Sequence, residues 1–238
     1  TNGVVSGSFF AEDGIADPAR LLEIYAKGAR AGGAKIETKA EVGRIMKDGA
    51  RVVGVEAGGK ILKADHVVLA AGVWSRDLGK TIGLDIPILN KRKFILSIDG
   101  FAFDYPVIME IPTGWYIKKE GKLALTGMSG KEDGRVCDLE SECTEQTVAA
   151  SLKRFPETHK SGIRRVINSL SDETPDKHAV IDNSIPGLII TTGFSGHGFM
   201  HSPAVGHVVA SLVKGEAPVL DIGELRLNRE HIKENIAI

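Results

Sequence analysis

Cysteine is nearly missing from this chain: Cys137 and Cys143 are the only two in 238 residues. Two cysteines cannot build a disulfide framework, and the polar stretch VCDLESEC around them lacks metal-ligand spacing. Two free thiols are the plain reading, with no metal site. Aromatic residues make up only 5%. Charge of one sign is also lacking, because 30 Lys and Arg balance 31 Asp and Glu to a net −1. That balance gives no electrostatic case for nucleic acid or an anionic membrane. No apolar run approaches the roughly 20 residues of a spanning helix, and neither end reads as a charged-then-apolar signal. A cytoplasmic location without a membrane span is the corresponding expectation.

What is present fits a globular protein. Hydrophobic residues account for 42% and charged ones for 26%, enough for a sizeable core in one large domain or two interleaved ones. In IADPARLLEIYAKGARAGGAKIE, Asp17 is a candidate N-cap, Pro18 a first-turn proline and Gly32-Gly33 a stop. Leu21, Leu22, Tyr25 and Ala29 share one face of that helix. From Lys35 to Leu69, short β-rich runs alternate with turn signals at Asp48-Gly49 and Gly58-Gly59. This predicts a small meander and a buried strand over His66 to Leu69, ending on Ala70-Ala71-Gly72.

From about Pro87 to Ile185 the pattern becomes strands with an occasional helix. KFILSIDG, VIMEIPTGWYIKKE and KLALTGMSG read as strands, and ECTEQTVAASLKRFP as an acidic-start helix closed by Pro156. A buried strand returns at Leu188, and Ser202-Pro203 is expected to open a final helix by the logic of Asp17-Pro18.

Two glycine turns carry the chemistry. In TTGFSGHGFMHSP, Gly193, Gly196 and Gly198 stand between strand and helix, where backbone N–H groups can approach a ligand. The order is G-x-x-G-x-G, not the G-x-G-x-x-G of a dinucleotide-binding first turn. A tight strand-to-helix connection explains the spacing equally well. In VVLAAGVWSRDLGK, Ala70, Ala71 and Gly72 are small enough for ribose or phosphate to lie against backbone. Trp74 is either an apolar lid or a core residue.

Taken together, Asp13-Gly14, Asp17-Pro18, GAKI, VVLAAGVWS and GFSGHGFMHSPAVG resemble the D-amino-acid oxidase-like superfamily of FAD-dependent oxidoreductases. The similarity is greatest to its sarcosine oxidase, glycine oxidase and amine dehydrogenase branch, and runs from about Gly3 to Arg229. The resemblance implies an α/β with α+β fold: a partial FAD-binding Rossmann-like lobe over 17–86 and 188–238, and a mostly antiparallel-sheet substrate lobe over 1–16 and 87–187. It implies non-covalent FAD, because no cysteine stands where sarcosine oxidases attach the flavin. Val42 is placed at the adenine, Ala71, Gly72 and Trp74 at the ribose and pyrophosphate, and Gly193, Phe194, Ser195, Gly196, His197, Gly198, Phe199 and Met200 along the isoalloxazine. His197 is a candidate to donate to flavin or orient substrate, with a backbone-satisfied histidine as the alternative. Tyr116 falls where relatives put an aromatic over the pocket, and Lys131 matches by position a lysine that activates oxygen. A strand tyrosine and a solvated loop lysine are the competing readings. Ser171 stands near the place where glycine oxidase relatives carry a carboxylate-binding arginine.

The implied reaction is oxidation of the C–N bond of a small amine or amino acid, sarcosine-, glycine- or proline-like, by hydride transfer to flavin. A 2-hydroxy-acid dehydrogenase of the same superfamily and a non-catalytic subunit are the alternatives. The N-terminal strand and G-x-G-x-x-G turn of such enzymes have no match here. A C-terminal fragment, or a subunit whose other half lies elsewhere, is therefore expected, and FAD binding by this chain alone is an open question.

Overall fold

The structure is a computed structural model that describes residues 3–128 and 140–230. Its first regular element is helix α1, Pro18–Ala31, and the local sequence accounts for both ends. Asp17 Oδ1 accepts from the N–H groups of Ala19 at 2.9 Å and Arg20 at 3.3 Å, and Gly32 closes the last turn. None of its residues is buried, and Leu22 is 70% exposed. The apolar face predicted from the sequence exists, uncovered among the described residues.

Strands β1 (Val42–Asp48), β2 (Arg51–Ala57) and β3 (Lys60–Lys63) form an antiparallel meander. Its tight turns fall at Gly49 and at Gly58-Gly59, all with positive φ. Strand β4 (Val67–Leu69) leads into a single 3₁₀ turn, Gly72–Trp74, and the short helix α2, Ser75–Lys80.

Next comes an antiparallel sheet built from β5 (Leu89–Asp99), β6 (Ile108–Glu110), β7 (Trp115–Glu120), β8 (Leu123–Met128) and β9 (Gly162–Glu173), in the order β6-β7-β8-β5-β9. Helix α3, Glu140–Arg154, packs on one face of it. That face buries Leu96, Ile98, Trp115, Ile117 and Ala124, with Val148 and Ala150 of α3 packed against them. The Trp115 indole donates to Ser151 Oγ at 3.1 Å, so the polar edge of the largest core side chain is satisfied.

Strand β10 (Val180–Asp182) pairs antiparallel with β11 (Leu188–Thr192), and β11 pairs parallel with β4. Every residue of β11 is buried, which is why its sequence is a continuous run rather than an alternation. Helix α4, Gly198–Lys214, lays Val208 and Leu212 on Ile181 and Ile189. It ends at Gly215 in the left-handed conformation.

The chain thus has an α/β part and a mostly antiparallel part, in two compact units. One gathers Ile88–His178; the other joins Val5–Pro87 to Ala179–Arg229. Relative to the boundaries expected at 16 and 187, residues 5–16 and 179–187 go with the α/β unit. Pairing of β10 with β11 draws the latter stretch there. Among the described residues no helix is long and apolar enough to cross a membrane.

The contrast between α1 and β11 is measurable. Ile189→Ala removes a fully buried side chain and is expected to cost about 2–5 kcal/mol in chemical denaturation. Leu22→Ala, on the open face of α1, is expected to stay within about 0.5 kcal/mol.

Candidate functional site

Strands β4 and β11 run in the same direction, so the turns that follow them emerge at the same edge of the sheet. Ile190 is paired with Leu69, and two residues beyond Ile190 the Thr192 hydroxyl donates to the Gly72 carbonyl at 3.2 Å. Two glycine turns separated by about 120 residues of chain are thereby held side by side. Ligands of open α/β sheets bind outside the carboxyl ends of such strands.

The backbone of the second turn takes a route few sequences allow. Gly193, Ser195 and Gly196 have φ of 74°, 51° and 94°. Ser195 is one of three non-glycine residues with positive φ among those described, and its Oγ donates to the Gly193 carbonyl at 3.3 Å. A Cβ added at Gly196 meets nothing within 4 Å, so that side of the turn is open. At Gly198 it meets Phe194 Cβ at 3.1 Å, so the ring of Phe194 occupies the space glycine vacates.

The sequence expectation for the start of the last helix needs correction. Helix α4 begins at Gly198, and Ser202-Pro203 lies inside it. Pro203 has no N–H for the Phe199 carbonyl four residues back. The Ser202 hydroxyl donates to that carbonyl instead, at 2.9 Å. The serine thus satisfies the carbonyl left by the proline, and the dipeptide that mimicked a helix start is tolerated within one.

One consequence is that the N–H groups of Gly198, Phe199 and Met200, rather than those after Ser202, form the helix N-terminus. The preceding residue, His197, makes no side-chain capping bond. The His197 ring lies 6.1 Å from His201, one turn on, at an interplanar angle of 23°. An N–H-lined, sparsely filled turn suits an electron-rich or anionic group. The residues present therefore fit the edge of a flavin ring, with Ala71 and Gly72 adjoining.

The remaining candidates are more scattered. Trp74 is 68% exposed, so it is not a core residue, and Val42 opens β1 in the separate meander. Tyr116 belongs to the other unit, on β7, where burial pushes its phenol up to about 12. It stays a protonated donor at any physiological pH. Its ring lies over β8, because a Cβ at Gly127 would stand 3.0 Å from Tyr116 Cε1 and Oη. Lys131 and Cys137 lie outside the described residues. Ser171 is on β9, cross-strand from Lys91.

That neighbourhood holds a group that sequence reasoning missed. Glu173, whose side chain is 4% exposed, receives Lys91 Nζ at 3.2 Å, Lys93 Nζ at 3.1 Å and Lys177 Nζ. Burial alone would raise the Glu173 carboxyl, but the Lys177 hydrogen bond and the Lys93 charge outweigh it and hold the group at about 2. The available signal was the Lys-x-Lys alternation at the start of β5, which places both ammoniums on one face.

Residues 1–212 match the DAO family, FAD dependent oxidoreductase. The chain belongs to that family. It is 25% identical over 246 residues to 4-methylaminobutanoate oxidase (formaldehyde-forming) of Paenarthrobacter nicotinovorans, a match covering 96% of this chain and 30% of that protein. Monomeric sarcosine oxidase of Bacillus sp. (strain B-0618) is 26% identical over 251 residues, covering 97% and 62%. Among solved structures, L-proline dehydrogenase from P.horikoshii superposes with a TM-score of 0.77 at 25% identity, covering 85% of this chain and 57% of that one. The chain thus spans between about a third and two thirds of the length of these proteins.

Glu173 gives a pH prediction. Its carboxyl is held below the ordinary 4.5, so the stability it contributes is present above about pH 4.5 and is lost as pH falls toward 2. The difference in thermal midpoint between the parent chain and Glu173→Gln should be largest at neutral pH. It should narrow as the pH is lowered through that window.

Proposed function

We propose that this chain provides flavin-contacting and substrate-recognising parts of an FAD-dependent oxidoreductase that oxidises the C–N bond of a small amine or amino acid. The observation that carries the reading is the pairing of two glycine turns at the carboxyl ends of β4 and β11, bound through Thr192 and Gly72. Family membership and the names of the relatives support it.

Non-covalent FAD would be held by Gly193 to Met200, with Ala71, Gly72, Trp74 and Val42 along its remaining length. The chemistry that FAD supplies when bound is acceptance of a hydride equivalent from the carbon beside the substrate nitrogen. The chain's own contribution is electrostatic. The N–H groups of Gly198, Phe199 and Met200, backed by the dipole of α4, favour negative charge at the ring edge by about 0.3–2 kcal/mol. His197, between the two glycines, donates to the ring or orients substrate. Tyr116, kept protonated, offers a hydrogen bond without acting as a base. Lys131 retains its proposed role in oxygen activation.

The exposed apolar residues of the α/β unit bear on partners. Phe9, Phe10, Leu22, Ile24, Tyr25 and Met200 all lie open among the described residues. We infer that a dinucleotide-binding half, in the same polypeptide or in a partner subunit, covers this surface in the working enzyme.

The test has two parts. FAD titrated into the purified chain, alone or with a dinucleotide-binding half supplied, should show fluorescence quenching that Gly198→Val weakens at least about tenfold. Unchanged retention would make the turn merely structural. The full-length gene product should reduce a redox dye with sarcosine or proline. Turnover with 2-hydroxyglutarate alone would move the assignment to a hydroxy-acid dehydrogenase, and a colourless, inactive protein to a non-catalytic subunit.

A further inference from the structure

Helix α4 is anchored far from the end that meets the glycine turn. Its buried side chains, Val208 and Leu212, both lie in its second half, whereas Phe199 and Met200 in its first turn are exposed. At 1.5 Å per residue, Val208 stands about 15 Å along the axis from Gly198. The direction of the first-turn N–H groups is therefore set mainly at the distant end, as the aim of a lever is set at its pivot.

The segment after the helix sits at that pivot. Beyond Gly215 the chain returns through a single 3₁₀ turn, Gly223–Leu225. Ile222 and Leu225 join Val208, Leu212, Ile181 and Ile189 in one apolar cluster. The segment is then tied to both ends of β10. At one end Asp182 Oδ2 accepts from the Leu227 N–H at 3.0 Å, and Arg226 donates to Asn183. Just before the other end, Arg229 Nη1 donates to the Ala179 carbonyl at 3.1 Å. Asp182 is itself buried, and its Oδ1 accepts from both the N–H and the hydroxyl of Ser184 at 2.6 Å. Burial alone would raise the Asp182 carboxyl, but the Ser184 and Leu227 hydrogen bonds and the Arg226 charge outweigh it and hold the group below its ordinary value. One ionised side chain thus joins β10, the turn that follows it and the returning segment. Strand β10 is in turn hydrogen-bonded to β11, from which the glycine turn springs.

We propose that Asp182 is a positioning residue for the 193–200 turn: it clamps segment 221–229 to the sheet, and that segment seats α4. The consequence for the cofactor rests on the flavin reading, since a loosened seat lets the N–H groups of Gly198, Phe199 and Met200 wander from the ring edge. The clamp needs a carboxylate. An asparagine of the same shape has one acceptor oxygen, and its amide nitrogen would face a donor, either the Leu227 N–H or the Ser184 pair. Loss of the clamp opens the segment and the first half of α4 locally, while wholly buried β11 keeps its protection.

Hydrogen exchange and cofactor binding provide separate tests in the full-length gene product. Asp182→Asn should speed amide exchange at least about tenfold in 222–229 and in the helical amides of 201–207, with β11 unchanged. Leu227→Pro removes the N–H that reaches Oδ2 and leaves the carboxylate in place. Proline suits this site, the second residue of a turn closed by the Arg229 N–H on the Arg226 carbonyl, and the extended Arg226 before it accepts one. This variant should reproduce the pattern, and it decides alone if Asp182→Asn does not fold. Unaltered exchange in 222–229, or a freed segment with 201–207 still protected, would overturn the clamp. A uniform rise that includes β11 would also overturn it, making Asp182 a contributor to general stability only. FAD affinity, read by fluorescence quenching, should fall at least about tenfold in both variants. Unchanged affinity alongside faster exchange in 201–207 would uphold the clamp and sink the placement of flavin at the turn.

Discussion

The parallel pairing of β4 with β11 is the constraint on which the α/β unit depends. Parallel strands deliver their following turns to the same edge, and a three-residue β4 suffices because β11 beside it is wholly buried. Without this pair, Gly72 and Gly193 would be unrelated bends. With it, the Thr192 hydroxyl reaches the Gly72 carbonyl and fixes the spacing of the two turns. The N-terminus of α4 then points its N–H groups at whatever lies along that edge. Sheet direction, turn chemistry and helix start act as one device.

The antiparallel unit divides its labour between faces. One side of the sheet is an ordinary core in which Trp115, Leu96 and Ile117 meet α3 and polar atoms are paired within the packing. The other side retains a buried carboxylate, lysines and a high-pKa phenol. Charges in poorly hydrated surroundings are costly unless paired, and the three ammoniums around Glu173 provide that pairing. Gly127 belongs to the same arrangement, since it lets the Tyr116 ring lie against the sheet rather than stand away from it.

Local signals were legible in the sequence wherever one residue's chemistry decides the backbone. Asp17, Pro18 and Gly32 marked α1 correctly, and the glycines of the meander marked its turns. Strand β9 was passed over: with Arg164, Arg165 and Asn168 exposed along it, its alternation is faint, and pairing with β5 decides its state. The start of α4 was misplaced because Ser202 caps a carbonyl inside the helix using the same hydroxyl chemistry that serves at helix ends. The Lys-x-Lys alternation put two lysines on one face of β5, but their meeting with Glu173 depends on a cross-strand register joining residues about 80 positions apart.

Helix α1 shows what secondary structure costs when little packing supports it. A 14-residue helix with no buried side chain is near the length at which helices in water are marginal, so its two end caps carry an unusual share of its persistence. Its amides would be expected to exchange with solvent deuterium well ahead of those in β11. In a working enzyme, the order of that helix would report whether its apolar side had found a neighbour.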